Sequence, residues 1–452
     1  MPISAFRRAL RRGIGSAVVA IEKSGNRAQY SDAVRWCCLH DISYDWQSEG
    51  TKGRYLYAAI AALGEKEAFE KTIIEKYLSK CADRLFCQLG DILVCYAMDG
   101  SLPAKDAFYR KYAYFAAKNG RFTKGPSCCD EGFQWDEVVY HLACLDGFPA
   151  FKRYCFDAGA LLHKNPRGRR SFYSDWFAAR AHNQFGQKRV DAFLDKMYEK
   201  SLPIKSLVDA LREDASAQAE SRTGFDHEPL SAVHLHERAH EASKAEHPRA
   251  KMVRLAYRFA NSASQEESVS LAKTLLREED LSVKASLLLP FSLGRNPFPL
   301  DIAPLLECAL SENAYLAEVS VDALGGIKDG RIHDFAVDCL RANAAGLSAL
   351  PMLAENYRKS DDDAIRAAVT ESKRVPHDVQ IFLVKLYTRH RSKNAFASLL
   401  HVYRNGDCSF CRHGIVQAMR HCRVLTDEIL EECLYDSYED TRTFAGRILQ
   451  AR

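Results

Sequence analysis

Apolar residues recur along nearly the whole chain at the three-and-four spacing of a helix, and no stretch alternates as a half-buried strand would. Phe6, Leu10, Ile14, Val18 and Ile21 fall on one stripe, which predicts a first helix over 3–22. Further helices are predicted over 28–40, 52–63, 66–81, 84–98 and 104–118. The punctuation between them is brief, as at Gly64-Glu65, Cys81-Ala82-Asp83 and Asp99-Gly100-Ser101-Leu102-Pro103. Connections this short force neighbouring helices to run antiparallel. An irregular stretch from Asn119 to Asp130 interrupts the rhythm, and helical spacing then resumes to about 222.

Residues 223–250 depart from the pattern, being polar, rich in His and Glu, and poor in bulky apolar side chains. A chain of 452 residues exceeds what one core usually serves, so this segment is the natural boundary. The expected organisation is an N-terminal helical repeat-like domain over 1–222, a polar connecting segment over 223–250 and a C-terminal repeat domain over 251–452.

The repeat signal is clearest in the second half. Ser320 to Leu340 carries Ala323-Leu324-Gly325 at a helix end, then Ile327, Asp329 in the turn, and Phe335, Ala336 and Leu340 along a second amphipathic stretch. Acid followed by apolar-Arg at a helix start occurs at Asp363, Ile365 and Arg366, at Asp407, Cys411 and Arg412, and at Glu439, Asp440 and Arg442. Acids there satisfy free N–H groups of the first turn. These features resemble the short bacterial type of HEAT repeat. The resemblance implies an all-α fold, an α-solenoid of antiparallel helix pairs with degenerate repeats. It implies no particular activity, because such arrays serve many roles.

Composition is that of an ordinary globular protein, with 47% apolar and 27% charged residues. Fifteen cysteines are scattered rather than packed into a short scaffold, which suits reduced, buried thiols and a cytoplasmic location. No apolar run reaches the roughly 20 residues needed to span a bilayer, so no membrane partner is expected. Arg7, Arg8, Arg11 and Arg12 precede an apolar stretch, as in a targeting segment, but an amphipathic first helix explains the same residues. The net charge of +4 is unevenly spread: residues 1–200 hold 31 Lys+Arg against 23 Asp+Glu, and the remainder 32 against 36.

Four stretches could carry chemistry. His236-Glu237-Arg238-Ala239-His240 places two imidazoles four residues apart on one helix face, where both can bind zinc. Its Arg238 and Glu241 depart from the zinc-protease pattern, and a solvated polar helix accounts for the same residues. Cys408 and Cys411 form a C-x-x-C with His413, His421 and Cys422 following, although Cys411 also fills an apolar repeat position. The connection holding Tyr44, Asp45, Trp46, Lys52 and Arg54 is unusually rich in aromatic and charged residues. Lys164, Arg167, Arg169 and Arg170 lead into Trp176, a mixture suited to phosphate neutralisation and base stacking.

No phosphate-binding loop, nucleophile elbow or dinucleotide fingerprint is present, and the sequence calls for no cofactor. The leading expectation is a non-enzymatic scaffold holding a partner protein or peptide on a curved surface. The alternative is nucleic-acid binding by the basic N-terminal half. Some DNA glycosylases built from HEAT-like repeats use Trp, Asp and Arg, residue types that Trp135-Asp136 and Asp175-Trp176 supply. A zinc hydrolase at residues 236–240 is the remote third reading.

Overall fold

A computed structural model describes residues 1–118, 121–122, 124–125, 129–164, 174–223, 230–293, 296–342, 346–372 and 374–451. Among these residues the regular structure is helical, apart from a two-residue antiparallel pairing of Lys124–Gly125 with Cys129–Asp130. The chain divides into two compact units, Met1–Phe225 with Glu428–Arg452, and Asp226–Asp427. The last 25 residues therefore belong with the first unit rather than with the helices that precede them.

In the first unit the predicted helix over 3–22 is two helices, Ile3–Arg12 and Ser16–Glu22. Gly13 separates them in the left-handed conformation, at φ 73°, its N–H capping the first helix. Glycine adopts that conformation without the clash a Cβ would bring. Its carbonyl then accepts a 2.9 Å hydrogen bond from the Ser437 N–H, joining the C-terminal segment to the chain start. Beyond this pair, Gly53–Leu63 packs on Asp83–Met98, which packs on Glu131–Asp146, while Lys66–Leu78 packs on Leu102–Ala117. Each helix thus meets both its sequence neighbour and the next but one. Leu56, Ile60, Leu89, Leu93, Val138 and Leu142 are buried on the first three of these helices.

The second unit runs from Ala232–Ser243 through Pro248–Ser262, Gln265–Arg277, Leu281–Ser292 and Ala314–Gly325 to Gly330–Ala342 and beyond. The segment read as a polar connector contains the first of these helices, because Ala232, Leu235, Ala239 and Ala242 give it a buried stripe of mostly small residues. Small residues carry little apolar signal, yet they allow close packing on Pro248–Ser262. A Cβ on Gly325 would lie 2.6 Å from the Pro351 carbonyl, so glycine lets that helix end against the 3-10 segment Gly346–Leu353. Asp329 accepts the Arg331 N–H at 2.8 Å at the start of the next helix, and Ile365 is buried while Asp363 pairs with Arg366.

The thirteen cysteines whose side chains are described are all free thiols. No described helix is long and apolar enough to cross a membrane.

Candidate functional site

In the first unit the aromatic connection is fastened to the body of the fold. Asp45 caps the short helix Trp46–Glu49, accepting from the Gln47 N–H at 3.1 Å. Trp46 lies edge-on to Phe133 with ring centroids 5.8 Å apart. Lys52 is buried, and its ammonium donates to the carbonyls of Arg11 and Ile42 at 3.1 and 3.0 Å while facing Glu49 at 3.5 Å. Burial withdraws Lys52 from any ligand at the surface, and its charge serves to hold the loop. Arg54 is exposed and lies 3.8 Å from Glu439, and Tyr44 is exposed.

The helix Glu131–Asp146 is the most polar part of the same unit's interior. Gln134, Asp136, Glu137 and His141 are all buried on it. Each has a partner: Asp136 accepts from the Tyr154 hydroxyl, Glu137 pairs with Arg180 at 2.7 Å, and His141 lies 3.3 Å from Asp91. Burial raises the Glu137 carboxyl against the pull of Arg180, whereas Asp91 is lowered because His141 and Thr51 together outweigh its own burial. Trp135 is 0% exposed and meets Tyr154 edge-on, so it offers no face on which a nucleobase could stack. Lys164 is exposed at the end of Phe148–Lys164. Arg167, Arg169 and Arg170 lie outside the described residues, as does the side chain of Trp176.

The second unit holds a cleft of about 590 Å³ that no local motif announces. Its floor is one face of the helix Ala314–Gly325, where Ala314, Ala317 and Val321 follow helical spacing beside Glu318 and Asp322. Arg249 reaches in from Pro248–Ser262 to pair with Glu318, Asp378 enters from His377–His390, and Leu310 forms an apolar edge that is 56% exposed. Three carboxylates therefore face one cation, which is already engaged. The consequence appears at Asp322, whose carboxyl is raised to about 6, first by burial and then by repulsion from Glu318.

Two further clusters have metal-ligand character. His236 and His240 meet Glu278, just past the helix Gln265–Arg277. Cys411 lies 3.4 Å from Nδ1 of His377, and the Cys408 thiol accepts the Cys411 N–H at 3.4 Å as the helix cap of Ser409–His421. The ligands suggested by chain proximity go elsewhere, His413 to Gln417 at 2.9 Å and Cys422 to the Tyr387 carbonyl at 3.3 Å.

The chain matches no protein-family model, no curated protein and no solved structure.

Proposed function

We propose that the chain acts as a HEAT-like, non-catalytic scaffold, and that the acidic cleft of its second unit holds a short basic segment of a partner protein. The observation that carries this reading is the excess of carboxylates over cations in a concave site with an apolar floor. A basic side chain entering between Glu318, Asp322 and Asp378 would neutralise charge that the fold itself leaves uncompensated. An apolar neighbour on the same segment would rest on Leu310, Ala314 and Val321. Neither demand requires a reactive group. Helix pairs stacked in layers are a frame well suited to presenting such a surface.

Asp322 gives the reading a sharp consequence. Its folded carboxyl titrates at about 6, above the ordinary value of 3.8. The protonated form is the one that folding favours, so this residue costs stability progressively as pH rises from about 4 through about 6. D322N is therefore expected to raise the melting temperature at pH 7 and to leave it unchanged at pH 4. The same substitution removes charge that the partner needs. A photo-crosslinking residue placed at Leu310 should capture a partner through a Lys- or Arg-rich peptide in the native cell. That product should be lost in D322N despite the more stable fold. Capture undiminished by D322N with E318Q, or through an acidic peptide, would sink the proposal.

A further inference from the structure

The acidic cleft makes no use of the paired histidines near the start of the second unit, and their geometry asks for an explanation. Nε2 of His236 lies 2.8 Å from Oε2 of Glu278 and 3.1 Å from Nε2 of His240, and Nε2 of His240 lies 3.3 Å from the same carboxylate oxygen. Three polar atoms thus form a closed triangle. Protons alone cannot satisfy it. If both imidazoles donate to Glu278, two N–H groups confront each other at 3.1 Å. If only one carries its proton on that nitrogen, the other presents a lone pair to the carboxylate. Every neutral assignment leaves one edge of like polarity. A cation at the centre reverses this, because all three atoms then point lone pairs at positive charge.

We propose that His236, His240 and Glu278 bind a divalent first-row transition-metal ion, zinc being the best fit to two imidazoles and one carboxylate. Zinc bonds to such ligands are about 2.0–2.2 Å long, which sets tetrahedral ligands roughly 3.3–3.5 Å apart. The observed triangle needs only a slight opening to admit the ion. The carboxylate is already oriented, since its other oxygen, Oε1, accepts the N–H groups of Glu279 and Asp280, each at 3.0 Å. Support of this kind from the surrounding shell is what fixes a ligand for a metal. The His240 side chain is about half exposed, so the fourth position opens to solvent. Glu237 is exposed on the same helix and is not among the three ligands.

The ion would staple the helix Ala232–Ser243, whose buried stripe is mostly alanine, to the turn between Gln265–Arg277 and Leu281–Ser292. Binding to the folded form alone would raise its stability. This inference is independent of the cleft and survives if that reading fails.

Titration of the metal-free full-length chain with cobalt tests it. One ion per chain should bind, with visible bands of a four-coordinate nitrogen and oxygen site and no thiolate charge-transfer band in the near ultraviolet. The melting temperature should rise on loading. H240Q and E278Q should each weaken binding about a hundredfold or more, exceeding the 10–100-fold effect usual for supporting residues. H240Q alters a half-exposed side chain, so it keeps the comparison valid even if E278Q disturbs the turn. C408S with C411S should leave this binding intact. Failure of the wild-type chain to take up stoichiometric cobalt or zinc overturns the proposal. So does uptake insensitive to H240Q, or uptake that disappears with Cys408 and Cys411.

Discussion

Replacing Gly15 by alanine is expected to release the C-terminal segment Glu428–Arg452 from the first unit. A Cβ at that position would lie 1.7 Å from the carbonyl oxygen of Glu432 and 2.8 Å from its carbon. Those are main-chain atoms at the end of the helix Asp427–Cys433, so no side-chain rotation can relieve the overlap. Overpacking usually costs about 1–3 kcal/mol, and a clash with rigid backbone belongs at or above the top of that range. The contacts at stake are local and identifiable. Ser437 donates to the Gly13 carbonyl at 2.9 Å, and Tyr435 donates to Glu22 at 3.1 Å. Hydrogen exchange should show protection lost first over residues 428–452, with a lowered melting temperature. Unchanged protection there would mean that the segment does not depend on this close approach.

Lys52→Met is expected to destabilise the same unit by about 3–5 kcal/mol, the range found when one partner of a buried ion pair is removed. The side chains of Lys52 and Glu49 are 1% and 0% exposed, so the carboxylate left behind would have no access to water. Glu49 would keep the N–H groups of Tyr44 and Asp45, which hold it in place. Two carbonyls, of Arg11 and Ile42, would lose their donor at the same time. Chemical denaturation should show this loss at pH 7. K52M with E49Q should recover a large part of it, because the buried charge that Lys52 faced is then absent as well. If the double variant were as unstable as K52M alone, the cost would lie in packing rather than in charge.

Lys52 also shows why the candidate sites were only partly legible in the sequence. A lysine in an aromatic connection reads as a surface cation, and nothing nearby along the chain reveals that Arg11 and Ile42 will enclose it. Helix identity was plain because periodicity is local, and Gly13 marks how far that goes. The stripe from Phe6 to Ile21 continues smoothly across a break that exists to let Ser437 approach. The alanine-rich stripe of Ala232–Ser243 was hidden for the opposite reason, since small buried residues barely register as hydrophobic. Distance along the chain concealed the rest. Glu278 joins His236 from 42 residues away, and His377 joins Cys411 from 34. The cleft is more dispersed still, with Arg249, Glu318 and Asp378 on three separate helices. A carboxylate at such a position looks like any solvated charge until the fold sets three of them around one space.

Selection of a random 12-residue peptide library on the intact chain puts the scaffold reading to its most direct test. The acidic cleft should enrich peptides that carry Lys or Arg beside an apolar residue, and their binding should weaken with added salt. The same peptides should fail to bind a chain carrying E318Q, D322N and D378N that melts no lower than the wild type. Enrichment of acidic sequences, or of basic ones that bind the triple variant equally well, would contradict it.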